Sequence, residues 1–173
     1  MIKKNTKGFN KTHILLLLTI LIILSISVTK KGKVLVIEDK ANEIHKEFYL
    51  KDNSFMLSYT HSVHKTVFEE YFIVTDDNKL LLQKNIFDSF GVGSPYIEDI
   101  NDVKIENNKF VLRLNRLFNE VNMIISPIPK HKLTIGNREI MILDLLDVKT
   151  NSIKIYPLER YVIAIGHKYI ILW

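Results

Sequence analysis

The sequence contains no cysteine, and this absence excludes several kinds of chemistry at once. The chain cannot use a thiolate nucleophile, a thiolate metal ligand or a disulfide, and it offers no cysteine to a lipid anchor. A body of about 140 residues can nevertheless fold on its own core without disulfides. Hydrophobic residues make up 47% of the chain, which is enough for a core and too much for a disordered protein.

Acidic residues are absent from residues 1–31, which hold six of the 24 basic side chains. The remaining 18 basic side chains stand against all 19 acidic ones, so the rest of the chain is close to neutral. A near-neutral domain has no broad basic surface for a phosphate backbone. We therefore expect no nucleic-acid partner, and we assign the basic excess to a targeting segment.

One apolar run follows the basic start of the chain, at residues 14–28. A basic segment before an apolar core is typical of a secretory signal, and its positive flank stays in the cytoplasm. The run of 15 residues is shorter than the ~20 of a usual span, but no Ala-x-Ala cleavage pattern is present, so an uncleaved anchor is favoured over a cleaved signal. The sequence thus predicts a cytoplasmic tail and signal-anchor helix at 1–31. An extracytoplasmic domain at 32–173 would be held at the cell membrane by this single pass.

Short apolar or alternating runs separated by turn residues fill the rest of the chain. They are rich in β-branched and aromatic residues, which favours strands, and Asn107-Asn108 and Gly136-Asn137 are typical two-residue hairpin turns. We expect an all-β fold, either an antiparallel sandwich or a partly closed barrel. The predicted strands are Val34–Ile37, Glu47–Leu50, Phe55–His61, Val67–Thr75, Leu80–Phe87, Val103–Ile105, Phe110–Leu114, Val121–Ser126, Leu133–Ile135, Ile140–Leu143, Ile153–Tyr156, Tyr161–Ile165 and Tyr169–Trp173.

The densest group of polar side chains lies between two of these strands, from Tyr59 to Glu70. It contains His61, Ser62 and Lys65, which together with Glu70 are our candidate ligand-binding residues. His61 and Ser62 point to opposite faces of an extended chain, so His61 is poorly placed to take the serine proton. A structural alternative is that His61 is a buried histidine whose ring is held by Glu70 or by a backbone carbonyl.

A second polar stretch contains two glycines separated by one residue, Gly91 and Gly93. Such a pair permits close backbone approach to an anion. No clear helix follows, so the pair is not a nucleotide loop, and a tight connection between strands is the structural alternative.

These two stretches carry a resemblance to a known family. His61-Ser62-Val63 with Thr66 and Glu70, followed by Ser89-Phe90-Gly91-Val92-Gly93-x-Pro95, resembles an uncharacterised bacterial family numbered eighteen-fifty among the domains of unknown function. The chain departs from the family pattern at Val67 and Ser94. The resemblance implies a gene neighbourhood with TAXI-type tripartite ATP-independent periplasmic (TRAP) transporters, which import small organic acids, and it implies no activity.

Three classes of function remain open. The first is an accessory or ligand-binding module in which His61, Ser62, Lys65 and Glu70 lie near Gly91 and Gly93 and contact a small carboxylate, a TRAP transporter component or its solute receptor. It requires no cofactor. The second is a hydrolase or metal-dependent enzyme using His61 and Glu70, with His131 as a further metal ligand. It is less favoured because no G-x-S-x-G or H-E-x-x-H motif is present. The third is a structural assembly domain that pairs with a partner protein through Tyr161–Trp173.

Overall fold

The computed structural model describes residues 10–61, 65–89, 103–146, 152–165 and 168–172. One helix precedes twelve strands and a short 3₁₀ helix in this part of the chain. The bounds are α1 Lys11–Val28, β1 Thr29–Asp39, β2 Ile44–Tyr49, β3 Ser54–Thr60, β4 Val67–Val74, β5 Leu80–Phe87, β6 Val103–Glu106, β7 Lys109–Phe118, β8 Val121–Ile124, β9 Lys132–Ile135, β10 Arg138–Met141, the 3₁₀ helix Ile142–Leu145, β11 Ser152–Ile165 and β12 Lys168–Leu172.

The chain divides into two compact units. The larger unit is Gly32–Arg160, and the smaller consists of Met1–Lys31 with Tyr161–Trp173. In the smaller unit, Tyr161–Ile165 of β11 pairs antiparallel with β12, and α1 exposes apolar side chains such as Leu15 and Leu21. Among the described residues, no helix is both long enough and apolar enough to cross a membrane.

The larger unit contains two sheets. In one, β1 lies between β11 and β2, and β8 also pairs with β11. The other has seven strands in the order β10-β9-β3-β4-β5-β7-β6, and its neighbouring strands are antiparallel. The predicted antiparallel β fold is confirmed, and the described strands do not close into a barrel.

The main core of the larger unit draws side chains from both sheets. Leu35 and Ile37 come from β1, Leu57 and Phe72 from the seven-stranded sheet, and Ile155 from β11, and all are less than 5% exposed. Burying a side chain of this size stabilises the fold by roughly 1.5–3 kcal/mol. This shared core fixes which face of each strand points inward.

The turns follow the local sequence chemistry. Asn107 and Asn108 both have positive φ between β6 and β7, and Gly136 has φ +56° between β9 and β10, as the sequence predicts. Asparagine and glycine tolerate this region best, which is why they occur at two-residue hairpin loops. The sequence also predicts a turn at Gly166-His167, between two apolar strands, and this turn lies outside the described residues.

The predicted strands differ from the structure in two places that matter for the fold. Ile153–Tyr156 and Tyr161–Ile165 belong to one continuous strand, β11. The predicted strand Ile140–Leu143 ends at Met141 and continues as the 3₁₀ helix. Both differences concern where a strand stops, and stopping points depend on hydrogen-bond partners in distant segments as well as on local pattern.

Candidate functional site

A polar site arises on β4 because this strand alternates between two faces. Phe68, Glu70 and Phe72 share the face that carries buried core residues, since successive side chains of a strand point to opposite sides. We call this the inner face of the seven-stranded sheet, and the opposite face, which carries Tyr71, the outer face. Glu70 is therefore a carboxyl placed between two buried aromatic rings.

The neighbours of Glu70 on the inner face are Leu57 on one side and Asn85 on the other, as cross-strand partners. Partners of this kind have Cβ atoms about 5 Å apart. Asn85 is only 3% exposed, and its Oδ1 has no hydrogen-bond partner among the described residues. A buried amide oxygen without a hydrogen-bond partner lowers the free energy of unfolding by roughly 1–3 kcal/mol. An asparagine at this position is therefore unfavourable for folding by itself.

Tyr59 and His131 extend this polar group along the same face. The Tyr59 ring stacks on Phe68 at 5.2 Å between centroids and lies 5.7 Å from the His131 ring. His131 is 8% exposed, and its Nδ1 has no hydrogen-bond partner within the described parts of the chain. Tyr59, Glu70, Asn85 and His131 together are called the inner-face cluster below.

Burial controls the ionisation of this cluster. It raises the pKa of Glu70 from 4.5 to about 7. The pKa of Tyr59 is raised to about 12, first by burial and then by the negative charge of Glu70, and burial lowers the pKa of His131. Near neutral pH the Glu70 carboxyl is thus present in both forms, so it can donate a hydrogen bond when protonated and accept one when ionised.

The structure places two other predicted site residues at a turn. His61 follows the last residue of β3, where its N–H donates to the Thr66 carbonyl at 2.8 Å and its own carbonyl accepts from the Lys65 N–H at 2.9 Å. Lys65 is exposed and has φ +58°, while His61 is half-buried. Ser62, Gly91 and Gly93 lie outside the described residues.

Among the described residues, no three His, Asp or Glu side chains are grouped so that they could hold a metal ion, and this includes the candidate set His61, Glu70 and His131.

Sequence reasoning missed Tyr59 and Asn85 as site residues. Tyr59 has the aromatic character expected of a core strand. Asn85 follows Gln83 and Lys84 in β5, so the sequence does not single it out, although every other buried residue of the strand is Leu or Phe. The inward direction of the Asn85 side chain depends on a register irregularity of β5, which the sequence does not predict.

The fold and this cluster define an antiparallel β domain with a partly ionisable interior. The family model described as Domain of unknown function (DUF1850) matches residues 55–142. The chain therefore belongs to this family, and the matched region contains every candidate site residue named above. Neither the curated proteins nor the solved structures include a match to the chain.

Proposed function

We propose that this protein is a membrane-attached β-sandwich module that binds a small organic acid at the inner-face cluster. The observation that carries the proposal is the pairing of Glu70 with Asn85 on a buried face. Apolar side chains would fill these two positions at lower cost, since a buried polar group without a partner is unfavourable. The Asn85 amide N–H and the protonated Glu70 carboxyl are the donors from which a ligand's carboxylate can accept.

Glu70 sets the pH dependence expected of such a ligand. When protonated it can donate a hydrogen bond to the ligand's carboxylate, and when ionised it repels the same group. The inner-face cluster holds no lysine or arginine that would offset this repulsion. Binding of a carboxylate is therefore expected to tighten as the pH falls through about 7, the pKa of Glu70.

The matching experiment is calorimetry on the full chain in detergent micelles, with succinate and butyrate titrated at pH 6 and pH 8. We expect binding at pH 6 that weakens about tenfold at pH 8, close to the loss expected from ionising a group of this pKa. Glu70→Gln should bind with little pH dependence, because its amide donates at both pH values. Glu69→Gln, the same change on the outer face, is the matched control and should behave as the natural chain does.

Two results would contradict the ligand proposal. One is an absence of binding by either acid at pH 6 in a chain that is folded. The other is a folded Glu70→Ala variant that binds the acids as tightly as the natural chain and with the same pH dependence.

Attachment to a membrane is the second part of the proposal. Its support is the apolar sequence of α1, whose described side chains from Ile14 to Ile22 are largely exposed, with Leu15 at 65% and Leu21 at 60%. Large apolar patches left in contact with water are unfavourable and mark contact surfaces. The basic residues before α1 give the orientation, with the β domain outside the cytoplasm.

Membrane attachment is tested by alkaline carbonate extraction and vesicle flotation of the full chain. We expect it to remain with the membrane, and a Leu16→Lys, Ile20→Lys double variant to be released. Lys30→Leu, Lys31→Leu is the control for changed charge and should stay attached. Release of the natural chain by carbonate would overturn this part.

Association with a TRAP-type transporter is the third part, and it rests on the gene neighbourhood that the family implies. Co-purification from membranes with the transporter's membrane component or its solute receptor tests it. If neither the membrane component nor the solute receptor co-purifies at moderate salt with a folded, membrane-attached chain, the association is rejected.

A further inference from the structure

The outer face of the seven-stranded sheet contains a bulge that gathers polar side chains. Between β4 and β5 the register passes from Tyr71↔Lys84 to Phe72↔Leu82, which leaves Gln83 without a partner. Between β5 and β7 the register shifts at the same place, from Leu82 to Lys84. Two register shifts therefore meet at Gln83, and bulges of this kind often redirect side chains beside functional sites.

The bulge places consecutive polar side chains on one surface. Gln83 is exposed and Lys84 half-exposed, and both line the same two adjoining grooves, whereas regular alternation would send them to opposite faces. Asn85, the next residue, then faces inward. The extra residue thus adds a side chain to the outer face and sets the direction of the inner-face cluster.

Lys84 is the direct cross-strand partner of Arg113 on β7. Like charges directly opposite each other on a sheet are destabilising. The Lys84 ammonium lies over the Tyr71 ring, 4.3 Å from its centroid, and Arg113 is exposed and makes no ion pair within the described residues. Two cations are therefore held side by side, with no carboxylate of the described residues within ion-pair distance of either.

The acidic side chains nearby do not neutralise this pair. Glu69 accepts a hydrogen bond from the Tyr71 hydroxyl at 2.9 Å and lies 3.7 Å from the Lys109 ammonium. Glu106 lines the groove beside Arg113 but forms no ion pair with it or with Lys84 in the described structure. Among the charged residues that line this groove, the two cations Lys84 and Arg113 thus outnumber the single carboxylate of Glu106.

The two grooves meet at Gln83 and Lys84. One, of ≈ 400 Å³, contains Arg113 and Asn115, and the other, of ≈ 540 Å³, runs past Met56 and Ile73 to Thr134. Thr134 Oγ1 is buried and has no hydrogen-bond partner among the described residues. These volumes suit a small molecule, and the surface offers cationic donors at one end, an apolar middle and a hydroxyl at the other end.

We propose that this bulge groove is a second binding site, in which Lys84 and Arg113 hold the carboxylate of a small organic anion and Gln83 donates an additional hydrogen bond. The ligand body lies over Met56 and Ile73. Arginine and lysine are the side chains best suited to an oxyanion, and arginine adds two parallel donors. The site lies on the face opposite the inner-face cluster, so it can be tested independently of the proposed function.

The test is calorimetry on the full chain in micelles at low ionic strength and pH 8, where Glu70 is mostly ionised and the inner-face cluster binds acids weakly. Succinate and butyrate are the probes, and inorganic phosphate is the comparison. We expect succinate to bind and Lys84→Gln or Arg113→Gln to weaken it at least tenfold. Arg138→Gln removes the same charge from an exposed position on β10 and should leave the affinity unchanged.

Glu70→Ala separates the two sites, because alanine offers a carboxylate no donor at any pH. Succinate binding at pH 8 that depends on Arg113 and persists in Glu70→Ala supports the groove. Binding that is intact in Arg113→Gln, or weakened equally by Arg138→Gln, overturns it. Phosphate binding as tight as succinate overturns the assignment to organic acids, because the apolar middle of the groove then contributes nothing.

Thermal melting, without and then with succinate, provides a second readout. Relief of the repulsion between Lys84 and Arg113 should make Arg113→Gln melt at or slightly above the temperature of the natural chain. At pH 8, succinate should raise the melting temperature of the natural chain and raise that of Arg113→Gln by less, because the variant binds it more weakly. An equal shift in both chains would contradict the proposal.

Discussion

Glu69 and Glu70 are consecutive residues of one strand, yet they occupy opposite environments. Glu69 faces outward and has the Tyr71 hydroxyl and the Lys109 ammonium as polar neighbours. Glu70 faces inward between Phe68 and Phe72, and burial raises its pKa to about 7. The same side chain is thus solvated and paired on one face, and kept partly protonated by the core on the other.

The comparison separates two ways in which a β-sheet can bind a ligand. The inner face offers few groups, but each is buried, so its interactions are strong and depend on protonation. The outer face offers permanent cations in contact with water, so its interactions depend on salt concentration. Raising the salt should therefore weaken binding in the bulge groove and leave the inner-face cluster almost unaffected.

The largest expected effect is on packing, and it compares Phe72 with Ile73. Phe72 is 3% exposed and stacks on Phe55 with ring centroids 5.0 Å apart. Phe72→Ala should lower the free energy of unfolding by roughly 3–5 kcal/mol because it leaves a cavity in the core. Ile73→Ala, one residue away on the outer face, should cost roughly 1 kcal/mol.

Urea denaturation of both variants measures this difference. Equal losses for Phe72→Ala and Ile73→Ala would mean that both faces of β4 are equally buried, and the distinction between inner and outer face would fail.

The next effect in size is the pH dependence of stability. The folded pKa of Glu70, about 7, lies above its unfolded value of 4.5, so the folded state binds more protons between these values. The stabilisation that protonated Glu70 contributes is complete below pH 4.5 and is lost as the pH rises through 7. The loss at pH 8 approaches about 3 kcal/mol.

Glu70→Gln removes this loss, so it should be more stable than the natural chain at pH 8 and similar to it at pH 5. Glu69→Gln should leave the slope of stability against pH unchanged. Unfolding free energies of the natural chain and of both variants, measured at several pH values between 5 and 8, test these two expectations. A natural chain that is more stable at pH 8 than at pH 5, with the slope unchanged in Glu70→Gln, would contradict the assignment.

The smallest effect concerns the outer face. Tyr71→Phe removes the hydrogen bond to Glu69 but keeps a ring beneath Lys84. We expect a loss of about 0.5–1 kcal/mol, typical of a partly exposed hydrogen bond to a charged group. A double-mutant cycle with Glu69→Gln measures the coupling, and a value of zero would show that the Glu69–Tyr71 contact contributes nothing to stability.

Much of the fold could be predicted from local pattern. Strand β5 was predicted with its observed bounds, and the Asn107-Asn108 turn follows from the tolerance of asparagine for positive φ. The continuity of β11 could not be predicted from local pattern, because Pro157 suggests that the strand is interrupted. The structure tolerates this proline because β8 pairs with Ser152–Ile155, ahead of it.

The site was predictable only in part. The residue type of Glu70 makes it a candidate, and its inward direction follows from the alternation of β4. Asn85 and Lys84 could not be assigned to faces, because the bulge at Gln83 reverses the parity of β5 and depends on the registers of both neighbouring strands. His61 and Lys65 share a turn whose geometry depends on backbone hydrogen bonds.

The seven-stranded sheet begins and ends with four-residue strands, β10 and β6, among the strands that are described. Each carries charged, exposed side chains: Arg138 and Glu139 on β10, Lys104 and Glu106 on β6. A short, charged border gives another chain little on which to add a strand, so it opposes self-association into fibrils. A protein crowded with its own copies on a surface would keep its sheets separate by this means.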